Sequence, residues 1–317
     1  MRIKSNTMKQ FFFFLTTLAF SISYSCTKQD NNTIALQDLS GSLLLSGSSV
    51  RLVPANKGAD ETILREGTFG DATYTLVDVT ADRKKVLFSK KNELVLSNWN
   101  GEILNHIFLP DNQLFKHIKI SPDGQKIATV SNDVNVSVFD LNTGAMDRSF
   151  IPAGLLFAPI ESVDGLCWSP EGSRLALLER YVWGIFTSHD TQTLYVVTVD
   201  STGNNITTVF SAPGCSSGSL FGCETSWNWE SVAWSPDGAS LAWYSSRGAG
   251  EIWKAKADYE NSGQLVFEET GPVSDLHWSP DNRYLVFMAA GDVHIADQTD
   301  YKRLLFETRA RPVFWFE

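Results

Sequence analysis

Most of the chain alternates short apolar runs with brief polar turns, and one such arrangement recurs. Three or four largely apolar residues end in Trp or Ile, Ser-Pro-Asp/Glu-Gly/Asn follows, and a second apolar run begins. Proline presets φ at the first corner of a tight turn, and Gly or Asn tolerates the positive φ that comes next. Two such runs joined by this turn predict a β-hairpin. The clear copies are Ile118–Val130, Leu166–Leu178, Val232–Trp243 and Leu276–Phe287.

Two degenerate copies extend the series at both ends. Val77–Phe88 has Ala81 where the others have Pro, and Arg311–Phe316 matches only the first strand of the unit, with Trp315 in the Trp position. The spacings between successive copies are 41, 48, 66, 44 and 37 residues. Periods of this length are typical of repeat folds such as propellers. The aligned positions are Thr80, Ser121, Ser169, Ser235, Ser279 and Phe316.

Further apolar runs complete each unit. Every full hairpin is followed by two more β-rich runs, as in Glu93–Ser97 and Ile103–Phe108, and four antiparallel strands make a propeller blade. The last unit has only a first strand, whereas Ser42–Ser46, Ser49–Val53 and Thr62–Arg65 lack one. Joining the two would cover open sheet edges. We therefore predict, for residues 42–317, an all-β, six-bladed β-propeller of four-stranded antiparallel blades, closed by the C-terminal strand joining the N-terminal blade.

The N-terminus has the pattern of an export signal. Positive residues precede the apolar run Phe11–Ile22, which is too short to span a bilayer, and small residues lead to Cys26. This resembles a bacterial lipoprotein signal in the Ser-rich form of Bacteroidota. The resemblance implies a signal peptide over residues 1–25, a lipid on Cys26 and a flexible tether over 26–41. It also implies export to the outer membrane or a periplasm-facing membrane, or to the cell surface. An ordinary secretory signal is the alternative.

Charge and cysteine content narrow the function classes. The formal net charge is −10, and an acidic chain without a basic cluster argues against nucleic acid as a partner. It also argues against electrostatic docking on anionic lipid, so the N-terminal lipid would supply the membrane contact. Cys167 lies in an apolar strand and is expected to be a buried thiol. Cys215 and Cys223 lie in a Gly/Ser-rich loop, where export favours a disulfide over the alternative of a metal pair.

The repeated Trp-Ser-Pro-Asp-Gly resembles the repeat of TolB-like six-bladed propellers, a WD40-like repeat known as PD40. The resemblance covers Ser42–Glu317. It implies a fold and says little about activity, because this fold carries many functions. In a propeller, the loops between strands two and three and those between units share one face, and the Ser-Pro-Asp/Glu turns lie on the other. We interpret Asp123, Asp237 and Asp281 as turn residues and not as ligands.

The unit with the 66-residue spacing carries two long segments that we expect to be loops on the first face. They are Arg180–Gln192 and Ser211–Glu230. Both are rich in aromatic residues, and exposed aromatic clusters on loops mark recognition sites. The alternative is that the rings pack together and plug the funnel. The candidate binding residues are Tyr181, Trp183, Phe186, His189, Phe221, Trp227 and Trp229.

Catalytic patterns are sparse. Gly214–Gly218 satisfies G-x-S-x-G, but no helix is predicted after it, as that nucleophile requires. The five histidines show no paired ligand spacing. We therefore expect no catalytic residue, metal or cofactor, and a monomeric, lipid-anchored propeller of the cell envelope that binds a protein or a glycan or peptide ligand. The alternative is a glycan lyase or hydrolase, which would need two or more His with an Asp or Glu converging in the funnel.

Overall fold

A computed structural model describes residues 39–316 of the chain, with gaps. The chain divides into two units, Met1–Thr33 and Ile34–Glu317. The predicted signal peptide, Cys26 and most of the predicted tether lie outside the described residues. The gaps are 47–48, 57–61, 67–74, 91–92, 109–114, 132–133, 152–159, 184–188, 200–205, 213–230, 246–250, 261, 269–272, 299–301 and 307–310.

Every regular element in these residues is a β-strand, and the described part includes no helix able to cross a membrane. The first half comprises β1 (Ser42–Ser46), β2 (Ser49–Pro54), β3 (Thr62–Glu66), β4 (Thr75–Val79), β5 (Lys85–Lys90), β6 (Glu93–Asn98), β7 (Ile103–Phe108), β8 (Phe115–Ile120), β9 (Lys126–Ser131), β10 (Val136–Asp140), β11 (Met146–Phe150) and β12 (Ile160–Trp168). The second half comprises β13 (Arg174–Trp183), β14 (His189–Thr198), β15 (Ile206–Ala212), β16 (Val232–Trp234), β17 (Ser240–Ser245), β18 (Glu251–Lys256), β19 (Gln264–Glu268), β20 (Val273–Trp278), β21 (Tyr284–Ala289), β22 (Asp292–Asp297), β23 (Lys302–Phe306) and β24 (Arg311–Phe316).

These strands form six four-stranded sheets, all antiparallel. Five sheets take their strands in chain order, beginning with β4, β8, β12, β16 and β20. The sixth has the order β24-β1-β2-β3, with Leu43 paired to Trp315 and Ser42 to Phe316. The predicted pairing of the C-terminal strand with the N-terminal sheet is therefore confirmed.

The first strands of the sheets lie at the centre of the arrangement. Each of β4, β8, β12, β16 and β20 contacts the first strand of the next sheet, and β24 contacts both β20 and β4. An all-β propeller of small antiparallel sheets is thus confirmed. Its middle is lined by one strand from each sheet, and any central site draws its residues from the same positions of the repeat.

The core lies between neighbouring sheets. Trp243 on β17 is fully buried, packs in a cluster with residues of the preceding sheet, and stacks on Trp253 with ring centroids 6.3 Å apart. Trp315 on β24 is 5% exposed and packs with β1 and with Tyr284 and Val286 of β21. Burial of large aromatic side chains contributes several kcal/mol each at about 25 cal/mol per Å². Packing of these tryptophans therefore holds neighbouring sheets together.

The Ser-Pro-Asp turns are stabilised by their own side chains. The hydroxyls of Ser121, Ser235 and Ser279 each donate to the Asp two residues later at 2.6 Å. The same hydroxyls accept the backbone N–H five residues later, which begins the second strand, at 2.9 Å in all three copies. Gly124 and Gly238 have φ of 67° and 74°, where a Cβ is disfavoured. The carboxylates are thus engaged within their turns, as the turn interpretation of these Asp residues predicts.

Candidate functional site

A cavity of about 310 Å³ lies in the middle of the ring of first strands. Its wall includes residues from β4, β8, β12, β16, β20 and β24. It also includes Pro122, Pro170 and Pro236, the prolines of three turns. The cavity therefore lies at the turn end of the propeller. The aromatic loops that the sequence singles out were expected on the opposite face, so this cavity is a separate candidate site.

One position of the repeat contributes to the cavity from every sheet. It is the residue two before the aligned Ser or Thr, and we name the six such residues the ring positions. They carry an acid, a base, a thiol, a methyl, an imidazole and a phenyl group, so the ring is chemically varied although the strands are equivalent. The ring positions are Asp78, Lys119, Cys167, Ala233, His277 and Phe314.

The next residue of each first strand also lines the cavity, and in four sheets it is Trp. The indole N–H of Trp168 donates to the carbonyl of Lys119 at 3.0 Å, and that of Trp278 donates to the carbonyl of Ala233 at 3.2 Å. Each of these two bonds joins a first strand to a ring position of the preceding sheet. The tryptophans thus hold the ring together and contribute apolar surface to the wall. The wall residues are Val79, Ile120, Trp168, Trp234, Trp278 and Trp315.

The acidic ring position is engaged with backbone groups. Asp78 is 4% exposed, and its two carboxylate oxygens accept the N–H groups of Val79 and Ile120, each at 2.9 Å. The second bond crosses from β4 to β8. A buried carboxylate needs such donors, because an unpaired one would be costly. Asp78 therefore joins two sheets.

The thiol of the ring residue Cys167 and the nearby imidazole of His117 are both held neutral. Burial raises the pKa of the Cys167 thiol to about 12, and Cys167 is the buried free thiol that the sequence predicts. His117, on β8 two residues before Lys119, has its pKa lowered to about 4, first by burial and then by the charges of Lys119 and Lys116. Both groups are uncharged at neutral pH, so neither offers an anion to Lys119.

Lys119 is the cation of the ring. Its backbone carbonyl accepts from Trp168, but none of the hydrogen bonds or ion pairs of the described residues involves its ammonium group. Its ring neighbour Asp78 directs both oxygens to backbone amides. A partly buried ammonium in a largely apolar cavity attracts an anion more strongly than an ammonium in water does, because the local dielectric is lower.

The criterion for a glycan lyase or hydrolase is not met by this cavity. Among its lining residues there is one histidine, His277, and one carboxylate, Asp78, whose oxygens are already bonded. Within the described ranges no three His, Cys, Asp or Glu side chains lie close enough to hold a metal ion. His106 contacts Glu93, and His294 stacks on Phe287. The histidines are thus distributed over several sheets.

The predicted aromatic loops are only partly loops. Tyr181 and Trp183 lie in β13, and His189 begins β14; the backbone of Trp183 pairs with that of His189, and that of Tyr181 with Thr191. The expectation that all of Arg180–Gln192 is a connecting loop is therefore wrong. Tyr-Val-Trp is an aromatic and β-branched sequence that favours extended pairing, so the hairpin continues to residues 183 and 189.

The remaining candidates fall outside the described residues. Phe186, Phe221, Trp227 and Trp229 are among these, and so are both members of the predicted disulfide, Cys215 and Cys223. In the register of β12 with β13, Tyr181 pairs with Ile160 and Leu175 pairs with Trp168. The backbone of Tyr181 is therefore at the opposite end of its sheet from the cavity.

The ring positions could have been found by aligning the repeats. In the six copies, the aligned Ser position varies little, whereas the residue two before it differs in every copy. A position that is equivalent in structure but has a different side chain in each copy allows a repeat protein to vary its chemistry without changing its fold.

Comparisons with known proteins give the fold. No family model matches the chain, and no curated protein matches it. Among solved structures, a protein assigned as TolB in Agrobacterium tumefaciens is similar with a TM-score of 0.54 and 16% identity, over 87% of this chain and 91% of that one. A chain of a nidogen–laminin complex is similar with a TM-score of 0.55 and 12% identity, over 81% and 89%. Both likenesses show the fold alone, which is a β-propeller.

Proposed function

We propose that this chain is a non-enzymatic binding propeller of the bacterial cell envelope, exported and attached to a membrane by a lipid on Cys26. Its six sheets would be the six blades of one closed ring, as the contacts among the first strands support. Its partner is a protein, with a glycan or peptide ligand as the broader class. The observation that carries the proposal is the tryptophan-walled cavity at the turn end of a TolB-like fold.

A cavity with this composition suits recognition. Its volume of about 310 Å³ is near the lower end for ligand pockets, which begin at about 300 Å³. Pockets of this kind are mainly apolar, with a few polar groups that fix orientation. Trp provides a large apolar surface and is enriched where binding energy concentrates. Lys119, His277 and Asp78 would be the orienting groups.

Filling the cavity tests whether it is the recognition site. Ala233 is a ring position that lines the cavity and packs with the wall residues Leu276 and Trp278, so Ala233→Leu adds three carbons at the cavity wall. We expect capture of the partner from envelope extract to fall at least tenfold. Ala239→Leu is the matched control, since Ala239 is exposed in a turn. Equal capture by both variants, with both folded, would place the recognition site elsewhere.

The predicted aromatic face stays a second contact surface in this proposal. It comprises Tyr181, Trp183, Phe186, His189, Phe221, Trp227 and Trp229. Replacing Trp183 and Trp227 together by Ala should weaken capture of the same partner if this face contributes. If only Ala233→Leu acts, recognition is confined to the cavity end.

The membrane anchor has its own test. A single acyl chain gives weak binding and further chains make it stable, so Cys26→Ser should move the protein from the membrane fraction to the soluble fraction after cell lysis. A protein that stays with the membrane after this change, and after a carbonate wash, would refute lipidation at Cys26.

A further inference from the structure

The cavity differs in charge from the chain that surrounds it. The protein has a formal net charge of −10, yet the free charge of the ring is the ammonium group of Lys119. Asp78 is almost fully buried and bonded to two amides, and the Cys167 thiol stays protonated because burial raises its pKa to about 12. Within the described part of the chain, no hydrogen bond or ion pair holds the Lys119 side chain.

The rest of the wall is suited to an apolar body. Trp168, Trp234, Trp278 and Trp315 are each at most 7% exposed, and all four line the cavity with Phe314. Their N–H groups are already donated, in the case of Trp234 to the carbonyl of Gly238 at 3.0 Å and of Trp315 to that of Ser40 at 3.0 Å. They therefore present apolar surface and no spare donors to a ligand.

The tryptophans are also fixed in place. The guanidinium of Arg174 lies 4.8 Å from the ring centroid of Trp234, and the ammonium of Lys254 lies 5.4 Å from that of Trp278. Such cation–π contacts are favourable, and they come from the preceding sheet in each case. Wall side chains fixed by such contacts are preorganised, which reduces the entropy lost when a ligand binds.

We infer that the cavity binds a carboxylate carried on an apolar or aromatic body, with Lys119 receiving the carboxylate and the tryptophans packing on the body. This inference rests on the proposed function, in that it names the ligand chemistry of the same cavity. Two sources supply this chemistry, a free small acid and the C-terminal residue of an extended protein segment. Capture of a terminal carboxylate is a known mode of peptide recognition.

The space is compatible with both sources. A volume of about 310 Å³ accommodates one aromatic residue with its terminal carboxylate but not a folded domain, since ligand pockets for larger molecules extend to about 1,000 Å³. A protein partner would therefore enter with a chain end. The prolines Pro122, Pro170 and Pro236 at the wall would flank the entering segment.

The test compares acids with their neutral amides on the purified full chain. The probes are N-acetylphenylalanine, N-acetylphenylalaninamide, and a Gly/Ser hexapeptide ending in Phe with a free or an amidated C-terminus. Binding is followed by calorimetry and by tryptophan fluorescence. We expect each acid to bind about tenfold more tightly than its amide, the scale of one charge-assisted hydrogen bond.

Variants of Lys119 separate charge from shape. Lys119→Met should abolish the preference for the acid, and Lys119→Arg should retain it. Lys256→Met removes an exposed lysine on β18 and should change nothing. Tighter binding of the hexapeptide than of the single residue would identify a protein C-terminus as the source, and equal binding would identify a free acid.

Two results would overturn the inference. One is failure of both acids to bind the wild-type protein at millimolar concentration. The other is an acid preference that persists in a folded Lys119→Met variant. Both are distinguishable from failure of the proposed function, because a partner captured equally by Ala233→Leu and wild type would refute recognition at the cavity whatever the probes show.

Discussion

In three copies of the repeat, the ring position lies two residues before the Ser of a Ser-Pro-Asp turn. The side chains of the turn are the same in these copies, whereas the side chain at the ring position changes. At Ser121, Ser235 and Ser279 the hydroxyl makes the same bond to Asp at 2.6 Å. At the ring positions Lys119, Ala233 and His277, which precede these serines, the side chains are an amine, a methyl group and an imidazole. The turns are engaged with themselves, whereas the ring faces a cavity.

The third turn shows what happens when the turn itself varies. Glu171 replaces Asp there and accepts from the guanidinium of Arg174 at 2.7 Å, and the same guanidinium bonds to Asp258 of the next sheet at 2.6 Å. The longer acid binds Arg174 of its own hairpin, and Arg174 extends to the neighbouring sheet. Gly172 keeps its positive φ of 72°, so the backbone is unchanged. The comparison indicates that the turn residues build the frame, whereas the ring positions accept different side chains.

The largest expected effect is on the frame. Trp315→Ala removes a side chain that is 5% exposed, packs against two sheets and donates to Ser40. We expect the free energy of unfolding to fall by about 3–5 kcal/mol, the usual loss for a buried Trp. Urea unfolding followed by circular dichroism measures it. Phe108→Ala is the control, since Phe108 is 71% exposed, and should change stability by less than about 1 kcal/mol.

The next largest expected effect is a dependence of folding stability on pH, caused by His117. His117 has a folded-state pKa of about 4, below the ordinary value of 6.5, because of burial and then of Lys119 and Lys116. The unfolded chain therefore binds this proton first as the pH falls. Stability should decrease between pH 6.5 and pH 4, by up to roughly 3 kcal/mol.

Urea midpoints across this pH range check the effect. His117→Gln should remove most of the decrease, and Lys119→Met should reduce it only in part, since burial is the larger cause. A wild-type midpoint that is unchanged from pH 7 to pH 5 and to pH 4 would show that His117 is not held neutral.

A smaller effect is expected at the turns. Asp237→Ala removes the acceptor of the Ser235 hydroxyl at 2.6 Å and of the Ala239 amide at 3.0 Å, so stability should fall by about 1–2 kcal/mol at pH 7. The pKa of Asp237 is lowered by these bonds. Its contribution is therefore present above the unfolded pKa and lost as the pH falls through the folded pKa. The stability gap between variant and wild type should narrow as the pH falls below the ordinary Asp value of 3.8, and a gap that does not narrow on acidification would point to another cause.

Much of the fold follows from the sequence, because its determinants are local. Pro122 and Gly124 fix a turn within one hairpin. The missing first strand of the N-terminal sheet is visible in the sequence as a gap in the repeat. The C-terminal unit has only a first strand. The pairing of β24 with β1 could be inferred because this lone strand supplies the one that the N-terminal sheet lacks. Repeats make such reasoning effective, since each copy checks the others.

The site was less predictable, since a cavity depends on distance between strands far apart in sequence. Trp168 and Lys119 are 49 residues apart, yet the indole of one bonds to the carbonyl of the other. Aligning the repeats marks the ring positions as variable, but it does not show that they enclose a cavity. The extension of β13 to Trp183 was missed for another reason: polar residues such as Thr191 and Gln192 resemble a loop, but they continue a paired strand.

The most direct test of the account measures two quantities on two variants. Lys119→Met and Asp237→Ala are compared with the wild type for unfolding free energy and for the affinity ratio of N-acetylphenylalanine to its amide. We expect Lys119→Met to lose the affinity ratio of about tenfold and to keep its stability within about 0.5 kcal/mol. We expect Asp237→Ala to lose stability and to keep the affinity ratio. A Lys119→Met variant that retains the acid preference, or an Asp237→Ala variant that loses it while folded, would contradict the division between frame and ring.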